Sequence, residues 1–200
     1  MPKRPIRIDP FIRFVCEGDV TEPNYFNGML RAKGLTIPNA AFKPKDHSPI
    51  GIAKEAARLY NDALKTSHIP KERVFICAIF DCDGHVGITE AFAMLRSLPI
   101  QIGFSNACFE FWVLLHFERT SRPFSNCDEI ITYIRRKHDA DYRKNNDHFN
   151  RLRERIPIAR ENAKWLCEMH WQYEEKPEWQ RNPFTTIHQL LHKLDEFIGK

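Results

Sequence analysis

Four acidic residues stand where carboxylates can do chemistry. Glu17 directly follows the apolar stretch Phe11–Cys16 and Glu22 lies just beyond it. Asp81 and Asp83 directly follow the continuous apolar run Val74-Phe75-Ile76-Cys77-Ala78-Ile79-Phe80. An extended chain turns residues 81 and 83 to one side, so both carboxylates can reach a common cation while Cys82 points away. Gathered carboxylates repel and raise one another's pKa. A hard divalent cation such as Mg²⁺ or Mn²⁺ relieves that cost. On a phosphodiester such a cation activates water and stabilises the attacking and leaving oxygens. Glu110 is a further carboxylate, in the first turn of a helix candidate that is otherwise apolar almost all round. It is either a partner of the helix dipole or a group that binds or positions a metal, and the residues alone leave both open.

The Asp-x-Asp spacing carries little weight by itself. With 11 aspartates in 200 residues a chance copy is expected, and a second one, Asp139-Ala140-Asp141, has no strand before it. What separates Asp81 and Asp83 from ordinary strand-end carboxylates is the buried strand that delivers them, together with Glu17 at the end of another. In open parallel sheets the working groups sit beyond the carboxyl ends of the strands. A competing metal reading is zinc at Cys167-x-x-His170 and His188-x-x-x-His192, where the two histidines share a helix face.

The elements that must hold these residues alternate. Strand candidates at 11–16, 73–80 and 99–104 and a weaker extended piece at 35–43 alternate with helix candidates. The first helix is opened by Thr21-Glu22-Pro23 and ends before Gly34; others span 49–66, 86–97 and 107–118, the last capped by Ser105-Asn106. After Pro123 the pattern is helical: 127–138, 148–170 and 185–198, with a loop over 173–183. This predicts an α/β fold: a mostly parallel sheet flanked by helices, with a C-terminal helical extension. The division is 1–120 for the α/β core and 121–200 for helices packed on it. Trp112 and His116, one turn apart, read as core and a satisfied polar contact.

At 200 residues and 42% hydrophobic, the chain can bury one core. No apolar run is long enough to span a bilayer, and the N-terminal residues do not read as a secretory signal. Six cysteines (16, 77, 82, 108, 127 and 167) contain no C-x-x-C pair, so reduced thiols in a cytoplasmic protein are expected. The net charge is +4, yet residues 135–160 alone carry nine Lys/Arg against four Asp/Glu. Arg135, Arg136, Lys137, Arg143, Lys144, Arg151 and Arg153 in that segment could attract nucleic-acid phosphates; the plainer reading is a solvated helical face. No Walker A loop is present, so any ATP dependence must come from another protein.

The ordered motifs also resemble a known family. Cys16-Glu17-Gly18-Asp19-Val20-Thr21-Glu22-Pro23-Asn24-Tyr25-Phe26 is similar to the CEGxxTExxYF opening of RloB-like proteins, and Asp81-Cys82-Asp83-Gly84-His85 to their DxD step. The block from Ser105 to Phe117 is similar to their SNPCFExWLLLHF, with Ala107 where proline is usual. Tyr142-Arg143-Lys144, the segment 159–163 and Asn182-Pro183-Phe184-Thr185 match weaker positions. The resemblance implies a TOPRIM-like fold in which Glu17, Asp81 and Asp83 organise Mg²⁺ for catalysis. The EGxxTE form also resembles OLD-type nucleases, which makes Glu22 a candidate for a second metal. Lys144 matches a basic residue that steadies the transition-state phosphate, and Glu110 completes or supports the site. The implied function is a Mg²⁺-dependent nuclease acting on DNA or RNA in anti-phage defence. The alternative is a regulatory subunit silent without an ABC-type ATPase partner, and a more remote reading is primase-like phosphoryl transfer.

Overall fold

The computed structural model describes residues 10–38, 40–66, 69–82, 86–173 and 176–199. The apolar runs form β1 (Phe11–Cys16), β2 (Ala41–Phe42), β3 (Val74–Asp81) and β4 (Gln101–Asn106), all parallel. β5 (Phe184–Thr185) pairs antiparallel with β4, and the order across the sheet is β2-β1-β3-β4-β5. Every residue of β3 is buried, which is why its sequence is apolar without alternation. Phe75, Cys77 and Ile79 face one hydrophobic cluster; Val74, Ile76, Ala78 and Phe80 face the other.

The helices divide between these two faces. α2 (Pro49–Lys65) and α3 (Ile88–Arg96) bury Ile52, Ala53, Ala56, Ala91, Phe92 and Leu95 against the second face. Ser48 starts α2 by accepting a hydrogen bond from the Gly51 amide, 3.1 Å, with Pro49 in the first turn. The first face is covered by α1 (Thr21–Ala32), α4 (Phe109–Leu115), α5 (Cys127–Lys137), α6 (Phe149–Leu152), α7 (Ile156–Tyr173) and α8 (Ile187–Ile198). α1 ends where Gly34 takes φ +76°, a conformation that favours glycine.

Three expectations are corrected. Ser105 and Asn106 do not cap a helix: they are the last residues of β4, drawn into the sheet by pairing with Thr185 and Phe184, and the cap position of α4 is Cys108, without a side-chain hydrogen bond. The helical reading after Pro123 missed β5, whose two residues are too short to show a period of two. The 35–43 extended segment contributes only the two residues of β2, at the sheet edge. At Gly103 an added Cβ would lie 2.5 Å from Ile79 Cδ1 and 2.9 Å from Ile187 Cδ1, so this glycine lets α8 lie close on β4. His116 is fully buried: its Nδ1 lies 3.0 Å from the Trp112 carbonyl and its Nε2 3.2 Å from the Tyr25 hydroxyl. Burial pushes its pKa down to about 4, so the ring is neutral and structural, as the sequence suggests.

Candidate functional site

β1 and β3 lie side by side at the centre of the sheet, and the chain leaves them toward opposite faces. α1 follows β1 onto one face and α3 follows β3 onto the other. The carboxyl ends of these two strands therefore flank the point where the topology reverses, the place where α/β sheets open a crevice. Cys16 pairs with Ile79, so the residues just beyond, Glu17 and Asp81, are brought together. The Asp81 amide donates to Glu17 Oε2 at 2.9 Å, and the Glu17 amide donates to the Ile79 carbonyl at 3.0 Å.

Glu22 joins them from the first turn of α1. It is buried, and its Oε2 has no hydrogen-bond partner among the described residues. Burial raises its pKa to about 7, with the charges of Glu110 and Glu17 adding to the rise and Lys144 opposing it. Burial also raises Asp81 well above the usual carboxylate range, followed by repulsion from Glu22, Glu17 and Glu110. Glu110, fully buried in the first turn of α4, is raised by burial and held down chiefly by Lys144. These mutual effects place Glu17, Glu22, Asp81 and Glu110 in one electrostatic neighbourhood. Asp83 lies outside the described residues.

Lys144 reaches this neighbourhood on a loop with several anchors. The Thr21 hydroxyl donates to the Lys144 carbonyl, Arg135 Nε donates to the Tyr142 carbonyl at 2.8 Å, and His148 stacks on Tyr142 at 4.3 Å. Lys144 Nζ then lies 3.9 Å from Glu110 Oε2. The threonine of the EGxxTE motif thus clasps the loop, a role that neither its type nor its spacing reveals.

The glycine of the same motif has a spatial reason. A Cβ at Gly18 would stand 2.1 Å from Glu22 Oε2, so the backbone must pass bare beneath that carboxylate. Under the metal-dependent function proposed below, Gly18→Ala is expected to displace Glu22 and weaken Mg²⁺ or Mn²⁺ binding about tenfold, with the melting temperature little changed. Calorimetric titration measures this; unaltered affinity would remove Glu22 from the ligand set.

The remaining sequence candidates are distributed as follows. Arg136 and Lys137 are exposed on the last turn of α5. Arg143 donates to the Ala140 and Tyr142 carbonyls, Arg151 pairs with Asp139 at 2.9 Å and Arg153 with Glu154 at 3.1 Å. Asp139 Oδ1 also accepts from the Asp141 amide at 3.2 Å, so the first carboxylate of the second Asp-x-Asp is engaged locally. Cys167-x-x-His170 and His188-x-x-x-His192 do not gather: His170 Nε2 lies 2.8 Å from the Pro183 carbonyl, and His192 pairs with Glu196 at 3.3 Å. Sequence reading missed a cleft of about 580 Å³ at the end of β2, net basic because Lys43, Lys45, Lys54 and Arg58 outnumber Asp46 and Glu55 in its lining, although Arg58 is itself paired with Glu55 and Asp62. Its cations come from a loop and a helix, so no charge run announces it. Lys43 pairs at 3.0 Å with Asp19, in the loop that carries Glu17.

The cysteine expectation is also corrected. Cys108 and Cys127 form a disulfide, S–S 2.26 Å and Cα–Cα 5.5 Å, while Cys16, Cys77, Cys82 and Cys167 are thiols outside any disulfide. The packing of α4 against α5 brings the two residues together, and a separation of 19 in sequence gives no sign of it. Among the described residues, the Cys/His/Asp/Glu group whose ligand atoms all lie within 4.8 Å of one another is Cys108, Glu110 and Cys127.

Fold and site together define a mostly parallel α/β protein with a carboxylate cluster and a lysine at the switch point of its sheet. The family model for RloB-like protein matches residues 12–194, nearly the whole chain, and the chain belongs to the RloB-like family. No curated protein and no solved structure gives a significant match. No helix among the described residues is long and apolar enough to cross a membrane.

Proposed function

We propose that this chain is a Mg²⁺- or Mn²⁺-dependent phosphodiesterase that cuts nucleic acid, a nuclease of the TOPRIM type serving in anti-phage defence. The observation that carries this reading is the convergence of Glu17 with the buried Glu22, Asp81 and Glu110 at the carboxyl ends of β1 and β3, with Glu22 Oε2 unpartnered among the described residues. An all-oxygen donor set in which burial and mutual repulsion raise the pKa of Glu22 and Asp81 suits a hard divalent cation, which repays both costs. Glu17, Glu22 and Asp81 would hold it with Asp83, and Glu110 would support the set. When bound, the cation supplies positive charge to the scissile phosphate and acidifies water.

The chain's own residues do the rest. Glu17 fixes the end of β3 through the Asp81 amide. Glu110 keeps Lys144 beside the cluster, where its ammonium neutralises a phosphate oxygen. The cleft of Lys43, Lys45, Lys54 and Arg58 and the exposed Arg136 and Lys137 would hold the nucleic-acid backbone.

The test offers plasmid, single-stranded DNA and tRNA to wild type and Glu17→Gln with Mg²⁺ or Mn²⁺. Cleavage of at least one substrate, reduced at least ~100-fold in the variant, is expected. Equal activity in both rejects the reading. Carboxylate-dependent metal binding without cleavage would point instead to a subunit that an ABC-type ATPase partner must release.

A further inference from the structure

We propose that Cys108, Cys127 and Glu110 form a second metal site, for one thiophilic divalent cation such as Zn²⁺, available when the Cys108–Cys127 disulfide is opened to two thiols. The three ligand atoms already lie within 4.8 Å of one another, and once the S–S bond is opened the two sulfurs must part to the separation that two Zn–S bonds of about 2.3 Å require. Two sulfurs and a carboxylate make a three-ligand set with a position left open, a composition that Zn²⁺ takes and Mg²⁺ does not. This separates the site from the all-oxygen cluster, although Glu110 borders both.

The surroundings of Glu110 point to an occupant. Its Oε2 lies 3.0 Å from Cys127 Sγ. A disulfide sulfur has no proton to offer that oxygen, whereas a thiol can donate and a cation can be shared. Its Oε1 is buried and meets no donor in good hydrogen-bond geometry among the described residues, the Tyr142 hydroxyl being the polar group that interacts with this carboxylate. An unsatisfied carboxylate oxygen at full burial costs free energy that a metal bond would offset. Cys127 is also the first residue of the 11-residue α5, where the helix dipole favours a thiolate.

The chemistry balances. A dithiol reductant passes two electrons and two protons to the Cys108–Cys127 bond and becomes its own cyclic disulfide. Zn²⁺ then displaces the two thiol protons on binding. Lys144 Nζ, 3.7 Å from Cys127 Sγ and 3.9 Å from Glu110 Oε2, has a half-exposed side chain that can swing into solvent as the cation arrives.

The experiment uses Co²⁺ as the probe on the full chain, before and after reduction with a dithiol and its anaerobic removal. The reduced protein is expected to bind one Co²⁺ more than the disulfide form, with a thiolate-to-cobalt charge-transfer band that the disulfide form lacks. Cys127→Ser and Cys108→Ser should each weaken binding at least ~tenfold with the band diminished, and Glu110→Gln should weaken binding with the sulfur band kept. No band in the reduced wild type, a disulfide the dithiol cannot open, or a band unchanged in both serine variants overturns the proposal. The comparison of the two redox forms of one sequence holds even if a variant fails to fold. Failure of this site and of the phosphodiesterase reading are separable: Asp81→Asn should keep the cobalt band whether or not cleavage is lost.

Discussion

Asp81→Asn is expected to reduce metal-dependent cleavage more than ~100-fold while making the metal-free protein more stable than wild type at pH 8. Asp81 ends β3 almost completely buried, with Glu22, Glu17 and Glu110 repelling its charge. A carboxyl whose folded pKa is raised contributes stability that is fully present below its unfolded value and is lost as pH rises through the folded one. The loss therefore begins near the ordinary carboxylate pKa of about 4 and continues up to the raised value. Asparagine has the same shape and no charge to lose. At pH 8 the variant should be the more stable of the two, because burial and the neighbouring carboxylates penalise only the ionised side chain. Near pH 4 the two should coincide. Urea denaturation in the presence of a chelator at both pH values measures this, and added Mg²⁺ should close the gap by stabilising only the wild type. A variant less stable than wild type at both pH values would make Asp81 a structural acceptor and leave no role for a metal there.

Trp112→Ala is expected to cost about 3–5 kcal/mol, a large part of the stability of a domain this size. Trp112 is fully buried in α4, edge-on to Tyr25 with ring centroids 6.5 Å apart and to His116 at 5.0 Å. Its removal leaves a void where α4 meets α1, and few neighbours can collapse into it because Phe26, Phe109 and Phe111 are themselves fully packed. Trp112→Phe keeps an aromatic ring in place and should cost less than half as much. Equilibrium urea unfolding with comparison of slopes decides the matter. A cost below about 1 kcal/mol for alanine would mean that α4 is held by something other than its core face.

How much of this was legible in the chain follows from the length scale of each signal. β1 and the end of β3 were readable because a mostly apolar stretch and a continuous apolar run stop abruptly at Glu17 and Asp81. Helix α1 announced itself by Pro23 and Gly34, and α2 by the helical spacing of its apolar residues from 52 to 64. The meeting of Glu17 with Asp81 followed from the rule that parallel strands present their carboxyl ends on one edge. What the sequence could not show depends on distant segments touching. Ser105 resembles a helix cap until Phe184–Thr185 pairs beside it. The hold of Thr21 on the Lys144 loop crosses 123 residues. Cys108 and Cys127 meet because α4 packs on α5, and the basic cleft is assembled from residues on a loop and a helix.

The clasp between Thr21 and the Lys144 loop gives the site an order of assembly in time. Synthesis proceeds from the amino end, so the strands bearing Glu17 and Asp81 leave the ribosome well before the loop that carries the lysine. β5, which closes the edge of the sheet beside β4, comes later still. A nascent chain can thus hold its carboxylates without the cation that faces them, and the full constellation arises only as folding finishes. For a protein whose proposed action would endanger the cell that makes it, translation itself acts as a delay.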